Sequence, residues 1–374
     1  MTATAIASRL ASLPAIAVAD RVTRLRERMS AERLDALIVT APSNIRWLTG
    51  FSGSAGLVAL TSDAMVLVTD ARYTEQAAEQ LTAVGSPSQI EITSVAQRAI
   101  VVDTVGDALR IGLESEHVTW SAQRRYATEW FDGRDLVATS GLVEGLRRRK
   151  DASELARMEL AALIADTALA DIRFRLLEQP TEQEFAVELD TMMRSLGATR
   201  PSFETIVASG PNAAKPHARP SSRRLTDGDL VILDFGCVVD GYCSDMTRTV
   251  ALGDIDEQSQ RLLDVVTAAN AAGVATVRAG VAASAVDTAA RSVIVDAGWG
   301  DEFAHGTGHG VGLDIHEAPR VGSSSAEVLE IGDVVTVEPG VYLPGHGGAR
   351  MEDSVVVTAD GCTVLTHTTK SPRP

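Results

Sequence analysis

The chain has 374 residues, too many for one ordinary hydrophobic core, so two domains are expected. Hydrophobic residues make up 45% of it, yet no apolar run approaches the roughly 18 residues that would span a bilayer, which excludes a helical membrane protein. A net charge of −16 repels phosphate backbones and removes nucleic acid from the candidate partners.

At the start, Arg9 precedes the mildly apolar LASLPAIAVA, and Ala17-Val18-Ala19 imitates a signal-cleavage site. Pro14, the weak hydrophobicity and the single positive residue before the run predict a frayed or helix-leading N terminus instead. Three cysteines without a C-x-x-C, and three asparagines (Asn44, Asn212, Asn270) without a glycosylation sequon, point to reduced thiols and a cytoplasmic setting.

Residues 20–140 alternate between helix and strand: DRVTRLRERM is helical, LDALIVT and AMVLVTD are strand-like, and TEQAAEQL is helical again. This predicts a small α/β domain over residues 1–145. The basic run Arg147-Arg148-Arg149-Lys150 between the two domains reads as a solvated helix start.

A second domain is expected over residues 151–374. It opens with long amphipathic helices across 152–197, one of them begun by the capping box Thr181-Glu182-Gln183-Glu184 and closed at Gly197. A strand pair over 230–250, helices over 257–297 and another strand pair over 332–358 follow, which reads as a structural duplication. Each strand pair carries two carboxylates: Asp234 and Asp245 in the first, Glu338 and Glu352 in the second.

Asp240-Gly241 is a strong two-residue hairpin signal, so Val239 faces Tyr242 and Asp245 falls opposite Gly236, two residues from Asp234. Asp234 and Asp245 are then diagonal neighbours on one face of the apolar strand LVILDF. Two unpaired buried carboxylates repel, so a cation or a shared proton must sit between them. By the same parity Cys237 points away from the aspartates and Cys243 towards them, and no disulfide is expected across the hairpin.

The stretch HGTGHGVGLDIHEAP, residues 305–319, holds His305, His309 and His316 among four glycines. Those glycines argue against a helix, and H-E-x-x-H, phosphate-loop, calcium-loop and G-x-S-x-G signatures are all missing. Close backbone approach to something compact is the remaining use. Four carboxylates with one or two imidazoles form a hard ligand set that favours Mn²⁺ and admits Co²⁺, Zn²⁺ or Fe²⁺. So many carboxylates suit two ions, as in two-metal sites where a bridging water is the nucleophile.

Together, LVILDFGCVVDGYCSDMTRTV, HGTGHGVGLDIHEAP and VEPGVY…GGARMED resemble the metal-dependent pita-bread peptidases, the superfamily of aminopeptidase P, prolidase and methionine aminopeptidase, over about residues 150–370. SNIRWLTGFSGSAG and SFETIVASGPNAAKPHARP are further similar to its Xaa-Pro-cleaving branch. The resemblance implies an α/β creatinase-like N-terminal domain and an α+β pita-bread domain with an internal pseudo-twofold. It implies Asp234, Asp245, His309, Glu338 and Glu352 as the metal ligands, Asp245 and Glu352 bridging.

The resemblance also makes His217, His305 and His316 outer histidines that hold the peptide and stabilise the tetrahedral intermediate. Glu338 would shuttle the proton of the bridging water, and Arg350 would clamp a carboxylate or backbone group. Ala218 departs from the glycine that many relatives carry after the substrate histidine.

The implied partners are proline-containing peptides, with Xaa-Pro aminopeptidase the leading reading and Xaa-Pro dipeptidase the alternative, since the motifs do not separate them. The intact ligand set disfavours metal-free amidine hydrolysis and a non-enzymatic binding module. The size of the first domain disfavours methionine aminopeptidase. A homodimer or larger oligomer is expected, with the segment 44–56, and Trp47 and Phe51 within it, closing over the active-site mouth.

Overall fold

The computed structural model describes residues 2–374. It divides into two compact units, one of Ala15–Arg147 and one of residues 2–14 with Arg148–Pro374. In the first, six strands form one sheet in the order Gln89–Ile92, Met65–Thr69, Leu57–Thr61, Ala36–Val39, Arg110–Glu114, Asp135–Thr139. The central runs ALIV, LVALT and MVLVT are buried throughout, as strands covered on both faces must be. Gln89–Ile92 and Asp135–Thr139 lie at the sheet edges and are partly exposed, so their apolar pattern is weak and the sequence reading passes over them.

The segment expected as an aromatic lid is folded otherwise. Pro42–Thr49 is a helix, and Trp47 and Phe51 are each 1% exposed. The Arg21 guanidinium lies 4.9 Å from the Trp47 ring centre, and Phe51 meets Tyr73 edge-on at 5.4 Å. Both aromatics therefore fill the core of their own unit.

Residues 2–14 group with the second unit, where the sequence reading had assigned them to the first. Thr2 caps the helix Ala3–Ala11, and Ile6 is fully buried in one cluster with Leu160, Ile164 and Leu189. Arg157 also donates to the Pro14 carbonyl (2.9 Å). The apolar face of so short a helix has partners more than 140 residues away, which no local pattern reveals.

The second unit contains the helices Ala152–Ile172, Glu182–Ser195, Glu257–Thr276 and Ala283–Asp296. The box Thr181–Glu184 forms with both hydrogen bonds in place, and Asp151–Glu154 makes another. Apart from Arg149, which is exposed, the basic run is a buried anchor and not a solvated helix start. Arg147 donates to Asn44 in the first unit's interior (2.7 Å), while in the second unit Arg148 pairs with Asp333 (2.6 Å) and Lys150 with Glu317 (3.0 Å).

Two interrupted hairpins carry the acids. At the first, Asp240 and Gly241 both have positive φ (41° and 83°), the two-residue turn that matches strand twist. Its register is the one the turn dictates: Val239 opposite Tyr242, Phe235 opposite Met246 and Asp234 opposite Thr247. In the second hairpin, Val337 lies opposite Asp353 and Gly340 opposite Arg350. Carrying that register through the gap sets Glu338 opposite Glu352.

The hairpins meet along their returning strands. Glu352 N–H donates to the Thr247 carbonyl (3.1 Å), Arg350 N–H to the Thr249 hydroxyl (3.0 Å), and that hydroxyl to the Arg350 carbonyl (2.7 Å).

Candidate metal centre

Where the hairpins meet, Asp234, Asp245 and Glu352 each aim one carboxylate oxygen inward, and the three atoms lie within 4.8 Å of one another. Asp245 and Glu352 are 4% and 2% exposed. Each hairpin also supplies a hydroxyl that orients a glutamate: Thr247 donates to Glu352 Oε2 (2.7 Å) and Thr336 to Glu338 Oε1 (3.2 Å). The Thr336 hydroxyl accepts from the His309 N–H as well (3.1 Å), tying the imidazole's backbone to the glutamate.

The bare backbone around His309 has a steric cause. A Cβ on Gly308 would stand 2.0 Å from the Thr336 carbonyl oxygen, and one on Gly310 would stand 2.2 Å from that of Ala318. Only glycine lets the strand Gly308–Gly310 lie this close to its neighbours. His309 Nδ1 sits 2.9 Å from the Gly310 carbonyl, which makes it the protonated nitrogen. Nε2 keeps its lone pair, 3.4 Å from Glu338 Oε1 and 3.6 Å from Asp245 Oδ2. Burial lowers the His309 pKa to about 4, so the ring is neutral.

Burial and then repulsion between neighbouring acids raise Asp245 and Glu352 well above the usual carboxylate range, and burial pushes Glu338 up to about 7. Asp234 ion-pairs with Arg350 through Oδ2 (2.6 Å), while its Oδ1 is buried without a hydrogen-bond partner among the described residues. A divalent cation fits this arrangement on three counts: it neutralises the acids, takes the orphan Oδ1 and accepts the Nε2 lone pair. The thiols lie elsewhere, with Cys237 on the Ala161 carbonyl and Cys243 on that of Leu313, so the donor set is oxygen and nitrogen.

The outer residues divide into tied and free. Arg350 Nη1 donates to Tyr342 OH (2.7 Å) and to the Pro216 carbonyl (3.2 Å), Nε to the Thr247 hydroxyl (3.1 Å), and Nη2 to Asp234. Its clamp closes on the protein's own groups. Tyr342 OH then passes its proton towards His305 Nε2 (2.9 Å), and His305 Nδ1 donates to the Gly306 carbonyl (2.8 Å). Both nitrogens of His305 are engaged internally, unlike the substrate-holding role expected of it. His316 stacks edge-on against His309 at 4.4 Å, and His217 directly follows Pro216, whose carbonyl Arg350 holds. His217 and His316 make no hydrogen bond among the described residues.

Residues 156–359 match metallopeptidase family M24, and residues 21–149 match the creatinase/prolidase N-terminal domain. The chain belongs to metallopeptidase family M24. A solved Xaa-Pro dipeptidase from Bacillus anthracis is similar at 38% identity and a TM-score of 0.88, over 95% of this chain and 98% of that one. The Xaa-Pro dipeptidase of Pyrococcus furiosus is 31% identical over 93% of this chain and 98% of its own. An X-Pro aminopeptidase structure from Thermotoga maritima is 31% identical, with a TM-score of 0.84, over 92% and 99%.

As an M24 enzyme the protein is a hydrolase that uses divalent metal ions, with the creatinase-type and pita-bread domains expected from its motifs. Sequence reasoning missed Tyr342, Thr247 and Thr336, whose spacings from Glu338 and Asp245 are even but carry no chemical signature of their own. It also missed Arg320. Arg320 is exposed on the strand Glu317–Val321 that follows His316, and its guanidinium makes no ion pair among the described residues.

The buried acids give the metal-free M24 protein an expected pH dependence. Folded Glu338 keeps a proton up to about 7 that the unfolded chain releases near 4.5, and Asp245 and Glu352 extend the same trend upward, so stability falls as pH rises. His305 and His309, lowered from 6.5 to about 4, act in the opposite direction but only below 6.5. The thermal midpoint of chelator-treated protein is therefore expected to fall as pH rises above 6.5, and a saturating divalent cation to remove the slope. A midpoint that rises with pH in the metal-free protein would mean the acids are not buried together.

Proposed function

We propose that this M24 enzyme hydrolyses Xaa-Pro dipeptides, with two divalent ions, Mn²⁺ first, held by Asp234, Asp245, His309, Glu338 and Glu352. The group on which the dipeptide reading over a longer chain rests is Arg320, an exposed guanidinium on the strand that follows His316, without an ion-pair partner among the described residues. A free proline carboxylate offers it a bidentate partner; a peptide continuing past proline does not. The similarity to proteins named Xaa-Pro dipeptidase supports the same reading.

When bound, the ions supply Lewis acidity and a water of lowered pKa. His217 and His316, with ring nitrogens unengaged, are assigned to donate to the scissile carbonyl oxygen as negative charge develops there. Glu338 is assigned to take the proton from the attacking water and return it to the proline nitrogen as the C–N bond breaks. Arg350 and Tyr342 act from behind, fixing Asp234 and His305. The second reading, Xaa-Pro aminopeptidase, has the Thermotoga maritima similarity in its favour.

The test compares kcat/KM on Xaa-Pro and Xaa-Pro-Yaa for the Mn²⁺-loaded protein and for Arg320→Ala. Dipeptides are expected to be preferred, and Arg320→Ala to raise their KM about tenfold or more, the scale of one lost charge-assisted contact. Faster cleavage of tripeptides, unaffected by the substitution, would establish the aminopeptidase. Inertness towards both substrates would overturn the Xaa-Pro reading.

A further inference from the structure

The helix Ala283–Asp296 supplies no metal ligand, yet one pair on it reaches both sides of the site. Asp287 is 1% exposed and forks with Arg291 one turn later, Nε to Oδ2 at 2.9 Å and Nη2 to Oδ1 at 3.0 Å. Asp287 Oδ1 also accepts from the Thr307 N–H (3.1 Å) and the Thr307 hydroxyl (2.8 Å). Arg291 donates to the Phe303 carbonyl (2.8 Å) and to the His305 carbonyl (2.7 Å), and its guanidinium lies 4.0 Å from the Phe303 ring centre. One carboxylate–guanidinium pair thus holds three alternate residues of the segment that enters the glycine-rich stretch.

From that segment the constraint runs two ways. The Thr307 carbonyl accepts the backbone N–H of Glu338 (2.7 Å), fixing the start of that carboxylate's side chain. Phe303 packs edge-on against the His305 ring at 5.0 Å, which fixes the imidazole on the other side. An isolated pair at helical spacing adds little to the helix itself, so helix stability does not explain a buried carboxylate with four donors. Fixing an irregular segment between Glu338 and the imidazole that braces Tyr342 does.

We propose that Asp287 and Arg291 are positioning residues that set His305 and Glu338 relative to each other, acting through the backbone of residues 303–307. The kinetic part rests on the Xaa-Pro reading above; the structural part does not.

The guanidinium side chain is 25% exposed, so a small cation can refill its place. The Mn²⁺-loaded full chain carrying Arg291→Ala is expected to lose about 10²-fold in kcat, the scale of an ångström-sized misplacement, with KM and bound metal per chain little changed. Millimolar methylguanidinium is expected to restore much of that loss, and sodium at equal ionic strength none of it. Amide hydrogen exchange over residues 303–309 and at Glu338 is expected to rise roughly tenfold and to fall again with methylguanidinium, which reads the pair without using activity.

Arg291→Lys keeps the charge and loses the fork, so it is expected to show the same kcat loss even where the alanine variant folds poorly. Unchanged exchange at 303–309 in either variant, or a rate loss that tracks loss of metal and is not rescued, would overturn the proposal. A wild type inert on Xaa-Pro substrates would sink the functional reading alone, leaving the exchange data to decide on the pair.

Discussion

Asp245→Ala is expected to yield a folded chain that binds fewer than two ions and turns over at least about 10³-fold more slowly, the upper scale for losing one transition-state contact. Asp245 is the acid with most to lose. It is buried, shares a 4.8 Å cluster with Asp234 and Glu352, and faces the free nitrogen of His309 at 3.6 Å. Removing it takes away one source of repulsion, so the metal-free variant should melt higher than the metal-free parent while the metal-loaded variant melts lower. Opposite signs in the two states separate loss of a ligand from general damage. A full complement of metal, or destabilisation in both states, would contradict the assignment.

The second large effect concerns the loop that carries His316. Lys150 and Glu317 form an ion pair with side chains 1% and 8% exposed, and Glu317 also accepts the Asp314 N–H (3.1 Å). The carboxylate packs so tightly on the loop that a Cβ at Gly312 would stand 2.5 Å from it. Lys150→Met strands that carboxylate in the interior, and a loss of about 3–5 kcal/mol is expected. Adding Glu317→Leu should recover most of it, since a matched apolar pair replaces the ions without leaving a lone charge. Denaturant midpoints of the single and double variants decide this; a single variant as stable as the parent would show that the pair does not hold the loop.

How far the sequence could be read depended on whether the deciding interaction was local. Asp240-Gly241 sets a two-residue turn, and from it the pairing of Asp234 with Thr247 and the gap at Asp245 follow by counting. Gly308 and Gly310 announced close backbone approach, and carbonyls about 2 Å from their absent Cβ atoms are that approach. The second hairpin has the longer connection Leu343–Gly347, so its register could not be counted, and its two acids were marked by the repeated strand-pair pattern without a pairing between them.

What stayed hidden was long-range burial. Trp47 and Phe51 have the composition of an exposed loop and the environment of a core, and the basic run at 147–150 finds its carboxylates at Asp333 and Glu317. Four of the five Arg350 donors are spent on Asp234, Tyr342, Thr247 and Pro216, up to 134 residues away. Side-chain satisfaction of that kind is a property of the fold and has no periodicity.

The matched registers of the two hairpins make this centre intolerant of altered length. Adding one residue to the Asp240-Gly241 turn, or deleting one from either strand beside it, would slide Asp245 past its neighbour and send alternate side chains to the opposite face of the sheet. The same holds between Val337 and Asp353, except at the turn beyond Leu343, where extra residues can bulge outward without shifting Glu338 against Glu352. Insertions that diversify such a protein are therefore confined to that tip and to the connections between helices, while the spacing from Asp234 to Asp245 stays at eleven residues.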